Sequence, residues 1–287
     1  MNILDYNIID DIRAIREILG ISQQELAVKL GGQPITLSRT ESEKTNPSGK
    51  LLEQVYSFAF ENDIKLGRLK EMLWREKLKS GHKLLFHGAK SEIEGKIRID
   101  KSRTNNDFGQ GFYTGENYGQ ALSFVSGFDR SSVYYIDFDA SRLEVKEYSV
   151  NQDWMLTIAY FRGTLDAYKD HPLIRKLVDE SRNCDYIIAP IADNRMFRII
   201  NSFIEGEITD EQCKHCLAAT NLGNQYVFTS EKAVKQLKIL EKGYISAKER
   251  QYYMNMRGED AKLGDDKVKL ARIQYRGKGL YIDEILQ

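Results

Sequence analysis

The texture of the chain changes once, at Gly81. From residue 8 to about residue 74, apolar residues recur at three- and four-residue spacing without strand-like alternation, which predicts a succession of short amphipathic helices. After Gly81 short β-rich runs take over, KLLFHGA, SSVYYIDFD, CDYIIAPI and NQYVFTS, separated by helix-like segments around 151–162 and 209–218. Strands interrupted irregularly by helices predict an α+β domain with non-sequential strand pairing rather than a regular βαβ alternation. The expected organisation is an all-α domain over 1–76, an α+β domain over 81–240 and a densely charged extension over 241–287. The extension reads equally as a docking helix with an edge strand or as partly disordered chain.

At 287 residues, with 41% hydrophobic and 29% charged, the chain is long enough for two such domains. Forty-two Lys and Arg balance 42 Asp and Glu, so no global field advertises nucleic acid, and any DNA contact has to be local. The opening MNILDYNIIDDIR carries acids where a signal peptide carries Lys or Arg. No apolar run approaches the ~18 residues of a membrane span, so the cytoplasm and no membrane partner are expected. Three cysteines argue against a disulfide framework. Cys213 and Cys216 form a C-x-x-C around His215, yet no second ligand pair has zinc-like spacing, so two ordinary thiols on a helix and no metal are expected.

Within the helical part, ISQQELAVKLGGQPITLSRTESEKTNPS has a specific logic. Ser22 is placed as a helix N-cap with Glu25 three residues on, a capping box. Ala27 is small where two crossing helices approach, and Gly31 and Gly32 supply the turn. Pro34 suits the first turn of a second helix, because its missing N–H costs nothing there. That helix presents Gln33, Thr36 and Arg39 outward, with Ile35 and Leu37 facing inward or flanking. Together with Gly20, Gln23, Leu26, Leu30, Leu37, Glu41 and Pro47, these marks resemble the helix-turn-helix of the Cro and phage-repressor class over roughly the first 70 residues. The resemblance implies that Gln33, Thr36 and Arg39 contact bases or phosphates in the major groove. Against it, residues 1–75 carry ten Lys plus Arg and eleven Asp plus Glu, while phosphate neutralisation dominates DNA affinity. A docking or dimerisation module, with a homodimer as one outcome, stays open beside DNA binding.

Three segments of the α+β part belong together. LLFHGA delivers His87 and Gly88 at a strand end, FGQGFYTGENYGQALSF sets glycines before Tyr113 and a helix-like stretch carrying Phe124, and GNQYVFTS opens a strand on Gln225. Each alone has an ordinary explanation in structural polarity or packing. In this order, His87-Gly88, Gly109-x-Gly111-Phe112-Tyr113 and Asn224-Gln225-Tyr226-Val227-Phe228 resemble the His, Tyr and Glu motifs of ADP-ribosyltransferases of the diphtheria-toxin and poly(ADP-ribose) polymerase type. The chain also looks like a bacterial family that combines FGxGFYTG with PIADNRMF, here Pro190 to Phe197.

The resemblance covers about residues 81–240 and implies a split β-sandwich with helices, and NAD as the ligand. It implies that His87 bonds the adenosine ribose, that the Gly88 backbone pairs with the carboxamide, and that Tyr113 and Phe124 take the two faces of nicotinamide, with Gly111 in the cofactor-binding motif. Gln225 is a departure: the family has Glu there, and a Gln can hydrogen-bond but cannot act as a base. Asp193 and Arg195 read either as a base and a diphosphate clamp or as a mutually paired cap of the following helix. The function these residues imply is mono-ADP-ribosyl transfer to a macromolecule, with a silent NAD-sensing DNA-binding regulator and a NAD glycohydrolase as alternatives.

Overall fold

The computed structural model describes residues 6–218 and 222–287. Residues 1–5 of the expected helical domain and 219–221 of the expected α+β domain lie outside the described residues. Packing separates the chain into two compact units, each made of non-contiguous segments: 1–93, 117–138 and 238–256 in the first, and 94–116, 139–237 and 257–287 in the second.

The first unit opens with α1 (Ile8–Leu19), α2 (Gln23–Lys29), α3 (Pro34–Glu41), α4 (Gly49–Glu61) and α5 (Leu66–Lys77). Their boundaries have local causes. α1 stops where Gly20 takes a left-handed backbone, φ 64° and ψ 33°, and donates its N–H to the Arg16 and Glu17 carbonyls. α2 opens on the expected capping box: Glu25 N donates to Ser22 Oγ at 3.2 Å, and Ser22 N donates to Glu25 Oε2 at 2.7 Å. Ile8, Ile12, Ile15, Leu26, Ala27, Leu37 and Val55 fill the core between the helices. Arg16 Nη1 donates to both carboxylate oxygens of Glu41, at 3.1 and 3.0 Å. One expectation is corrected here. Ile35 neither faces inward nor flanks the core; it is 53% exposed, because two residues turn a helix by about 200° away from buried Leu37.

Seven strands occur among the described residues: β1 (His82–Ala89), β2 (Phe112–Gly115), β3 (Ser132–Asp139), β4 (Val145–Glu147), β5 (Tyr186–Pro190), β6 (Asn224–Phe228) and β7 (Leu237–Tyr244). In the first unit their order is β1-β3-β7. The helices of this unit bond directly to its strands. Lys70 Nζ bridges Asp11 at 2.7 Å and Glu241 at 2.5 Å, Trp74 Nε1 donates to Glu241 at 2.8 Å, and Tyr135 OH donates to Gly67 O at 2.8 Å. The helix α6 (Tyr118–Val125) packs against them, with Tyr118 1% exposed. A Cβ on Gly67 would stand 2.1 Å from Tyr118 Cζ. That ring is fixed by stacking on Tyr135 and by its bond to Glu249, so it cannot swing away. Gly67→Ala is therefore expected to cost about 3 kcal/mol in chemical denaturation.

The second unit orders its strands β4-β5-β6-β2, with β4 and β5 parallel and the other two pairs antiparallel. This is the expected mixture of strands and helices with non-sequential neighbours. Around the strands pack α7 (Gln152–Phe161), α8 (Pro172–Arg182), α9 (Asn194–Ile204), α10 (Asp210–Ala218) and α11 (Glu231–Val234). The chain ends in α12 (Ala247–Gln274), a helix of 28 residues, and α13 (Ile282–Ile285). Trp154, Met155, Ile187, Ala189, Ile200, Phe203 and Val227 lie at the centre of the second unit's core. Cys213 and Cys216 are buried on α10, each thiol donating to a backbone carbonyl at 3.6 Å, Ile199 O and Val268 O, and burial pushes both thiols up. Among the described residues no helix is long and apolar enough to cross a membrane.

Candidate active site

The loop that leads into β2 is built around a buried carboxylate. Asp107, 5% exposed, accepts from Arg162 Nε at 2.9 Å on Oδ1, and from Ala192 N at 3.2 Å and Gln225 Nε2 at 2.8 Å on Oδ2. Arg162 follows the last residue of α7, and it also donates to Ala192 O at 2.9 Å. One carboxylate thus ties together the loop before β2, the end of α7, the chain between β5 and α9, and β6. A charge so placed is tolerated because both oxygens have partners, one of them a guanidinium.

Tyr113 shapes the same loop. Gly109 takes φ 71°, a left-handed conformation that favours glycine, and a Cβ there would also meet the Phe161 ring at 3.0 Å. Across that turn the Tyr113 hydroxyl accepts from Phe108 N at 3.1 Å and donates to Gly109 O at 2.8 Å. Burial, and then the charge of Asp107, hold this phenol protonated far above its ordinary range. Its hydroxyl is a fixture of the loop.

Gln225, 7% exposed, stands on β6 opposite Gly115 of β2 and Ala189 of β5. Cross-strand partners share a face, so its two neighbours across the ladder contribute a hydrogen and a methyl. Its Nε2 donates to Asp107 Oδ2 and, at 3.2 Å, to Pro190 O. Both partners are acceptors, which assigns the amide orientation: the nitrogen faces the network and Oε1 is turned from it. Among the described residues none donates to Oε1.

The other residues singled out in the sequence fall as follows. His87 and Gly88 lie on β1 in the first unit, the His87 ring 6.4 Å from that of Tyr134. A Cβ on Gly88 would lie 2.5 Å from Ala121 O, so packing against α6 already demands glycine there. Phe124 sits on α6, 42% exposed. A Cβ on Gly111 would lie 3.0 Å from both Phe228 O and Val227 Cγ1, so its missing side chain serves the approach of β2 to β6. Asp193 caps α9, its Oδ1 accepting from Arg195 N at 3.0 Å and Met196 N at 2.9 Å. Arg195 Nη1 donates to Ala261 O of α12 at 2.7 Å, so its guanidinium is not the mutual partner of the Asp193 cap. Gln33, Thr36 and Arg39 are exposed around α3.

Tyr113 and Gln225 are therefore brought together through Asp107, with Asp193 one residue from the Ala192 link and Arg195 directed elsewhere. Asp107 and Arg162 are the members of this cluster that sequence reasoning misses. Asp107 does open the glycine-rich run, but an Asp before such a run reads as a turn former. Nothing in the spacing points to Arg162, 55 positions away.

A family model described as protein of unknown function (DUF3990) matches residues 84–239, more than half of the chain. A helix-turn-helix model matches residues 12–55. No curated protein and no solved structure shows significant similarity to the chain.

Proposed function

For this chain, which belongs to the DUF3990 family of proteins of unknown function and carries a helix-turn-helix before it, we propose NAD-dependent mono-ADP-ribosyl transfer to an intracellular macromolecule. The observation that carries the reading is the bond from Gln225 to Asp107. It joins two residues 118 positions apart, one in the third motif of the transferase resemblance and one immediately before the second, in a single buried cluster. Convergence of these motifs is what a shared ligand site requires.

In such a transfer the C–N bond between nicotinamide and ribose breaks, and nicotinamide leaves neutral with the bonding pair. The acceptor nucleophile forms a bond at the anomeric carbon and its proton passes to water. The site has to orient the ligand and tolerate oxocarbenium-like charge. His87 would hold the adenosine ribose, the Gly88 backbone the carboxamide, and Tyr113 and Phe124 the nicotinamide ring. Gln225 takes no proton, so the chemistry that suits it is a single transfer to a group already nucleophilic, and chain elongation is disfavoured. A toxin or phage-defence setting fits by analogy alone.

His87→Ala is expected to abolish NAD binding in calorimetry; unchanged affinity would count against the whole assignment. The helix-turn-helix is proposed to bring the enzyme to DNA through Gln33, Thr36 and Arg39. Binding is expected to fall steeply with salt, and Arg39→Ala is expected to weaken it about tenfold. Absence of binding at low salt would leave the module a docking role. A second reading, a silent NAD-sensing regulator, is favoured by one observation: Gln225 is no base and both oxygens of Asp107 are engaged.

A further inference from the structure

We propose that Asp107 is the positioning residue of this site: braced by Arg162, it locks the Gln225 amide so that Oε1 is presented as a fixed acceptor to a sugar hydroxyl of the ligand. The inference rests on the transferase reading for the identity of that ligand, and on the geometry alone for the locking.

The locking follows from what each orientation of the amide would meet. As placed, Nε2 donates to a carboxylate at 2.8 Å and a carbonyl at 3.2 Å. Turned over, Oε1 would face the same two acceptors at those distances, with two repulsive contacts in place of two bonds. Asp107 itself cannot follow a turning amide, because Arg162 Nε holds Oδ1 and Ala192 N shares Oδ2. The network therefore has one hydrogen-bonding solution. It leaves a neutral acceptor turned away from Asp107 and Pro190, on a residue whose partners across the ladder are Gly115 and Ala189.

Set beside the transferase motif, the pair is transposed. Where the resemblance implies a carboxylate, this chain has an amide, and the carboxylate stands behind it on Arg162. The acceptor oxygen is kept and the negative charge is withdrawn into the network. Such a site reads a hydroxyl donor without changing its own protonation state, so the acceptor function of Gln225 needs no titration.

The test is a two-position exchange in the full chain. In Asp107→Asn, Oδ1 stays with Arg162 and Nδ2 is left facing the Gln225 amide and Ala192 N–H, so Gln225 has to turn its carbonyl inward. NAD affinity by calorimetry is expected to fall about tenfold or more, in a protein that circular dichroism shows to be folded. Gln225→Glu is expected to lose affinity as well, by setting two carboxylates against each other. The double variant Asp107→Asn with Gln225→Glu restores a donor to a carboxylate while Pro190 O and Ala192 N–H stay mismatched, so its NAD affinity is expected to rise above that of either single variant without reaching wild type. A purely structural role would restore the folding stability of the double variant and leave its NAD affinity low.

A second readout needs no ligand. In ¹⁵N spectra the Gln225 side-chain NH₂ is expected to exchange slowly in the wild type and rapidly in Asp107→Asn. Should either single variant fail to fold, the double variant and the wild-type exchange rate decide. A folded Asp107→Asn that binds NAD within about twofold of wild type, or a double variant no better than the singles, overturns the positioning role. If the wild type binds no NAD, the transferase reading falls; a slowly exchanging Gln225 amide then upholds the locking and a fast one overturns it.

Discussion

Asp107→Ala is expected to destabilise the protein by about 3 kcal/mol, because it removes the buried carboxylate partner of the largely buried Arg162 guanidinium. Three donors lose an acceptor at once: Ala192 N, Arg162, which keeps Ala192 O, and the Gln225 amide, which keeps Pro190 O. A domain's whole stability is about 5–15 kcal/mol, so the variant approaches the threshold of folding. Arg162→Met is expected to cost a similar amount for the mirror reason, an uncompensated Asp107. The double variant, with neither charge, is expected to recover part of the loss. Urea denaturation measures all three. A loss below about 1 kcal/mol in Asp107→Ala would mean that the carboxylate does not organise this cluster.

The second large effect lies in the first unit and depends on pH. Glu249, on α12, is 8% exposed and accepts from Tyr118 OH at 3.2 Å. Burial pushes its carboxyl up to about 7, against an ordinary 4.5, while the Tyr118 bond pulls the other way. The folded protein thus keeps this proton to near neutrality, whereas the unfolded chain releases it near 4.5. Between those values the unfolded state binds fewer protons, so this group's contribution makes stability fall as pH rises from 4.5 to about 7 and level off above. Across that window the change is about 3 kcal/mol. A glutamine stays neutral and still accepts from Tyr118. Glu249→Gln is therefore expected to stabilise the protein by about 3 kcal/mol at pH 8 and by little at pH 4.5. Equal stabilisation at both pH values would contradict a buried, protonated carboxyl.

What the sequence makes legible is what a few adjacent residues decide for themselves. The Ser22–Glu25 box and Pro34 at the head of α3 each fix a backbone locally, and both stand where the pattern places them. The four apolar runs after Gly81 become β1, β3, β5 and β6, and the helix-like segments become α7 and α10. Periodicity says that a face is buried without saying against what. Lys70 bridges Asp11 and Glu241, 59 and 171 positions away, and nothing near any of the three announces the others. The candidate site divides along the same line. Tyr113 and Gln225 are legible through their motif frames, while Asp107 and Arg162 depend on contacts across 55 and 118 positions. Glycine is the ambiguous case. Gly88 and Gly111 read as places where a ligand approaches the backbone, and each has a packing reason that a sequence does not display.

Transfer itself is tested most directly by incubating the full chain with NAD labelled in its adenosine half, in bacterial lysate, while following bound label and free nicotinamide together. Mono-ADP-ribosyl transfer predicts label on a macromolecule with nicotinamide released in step, both lost in His87→Ala. Nicotinamide without bound label would make the protein a glycohydrolase, and the absence of both products would contradict catalysis altogether.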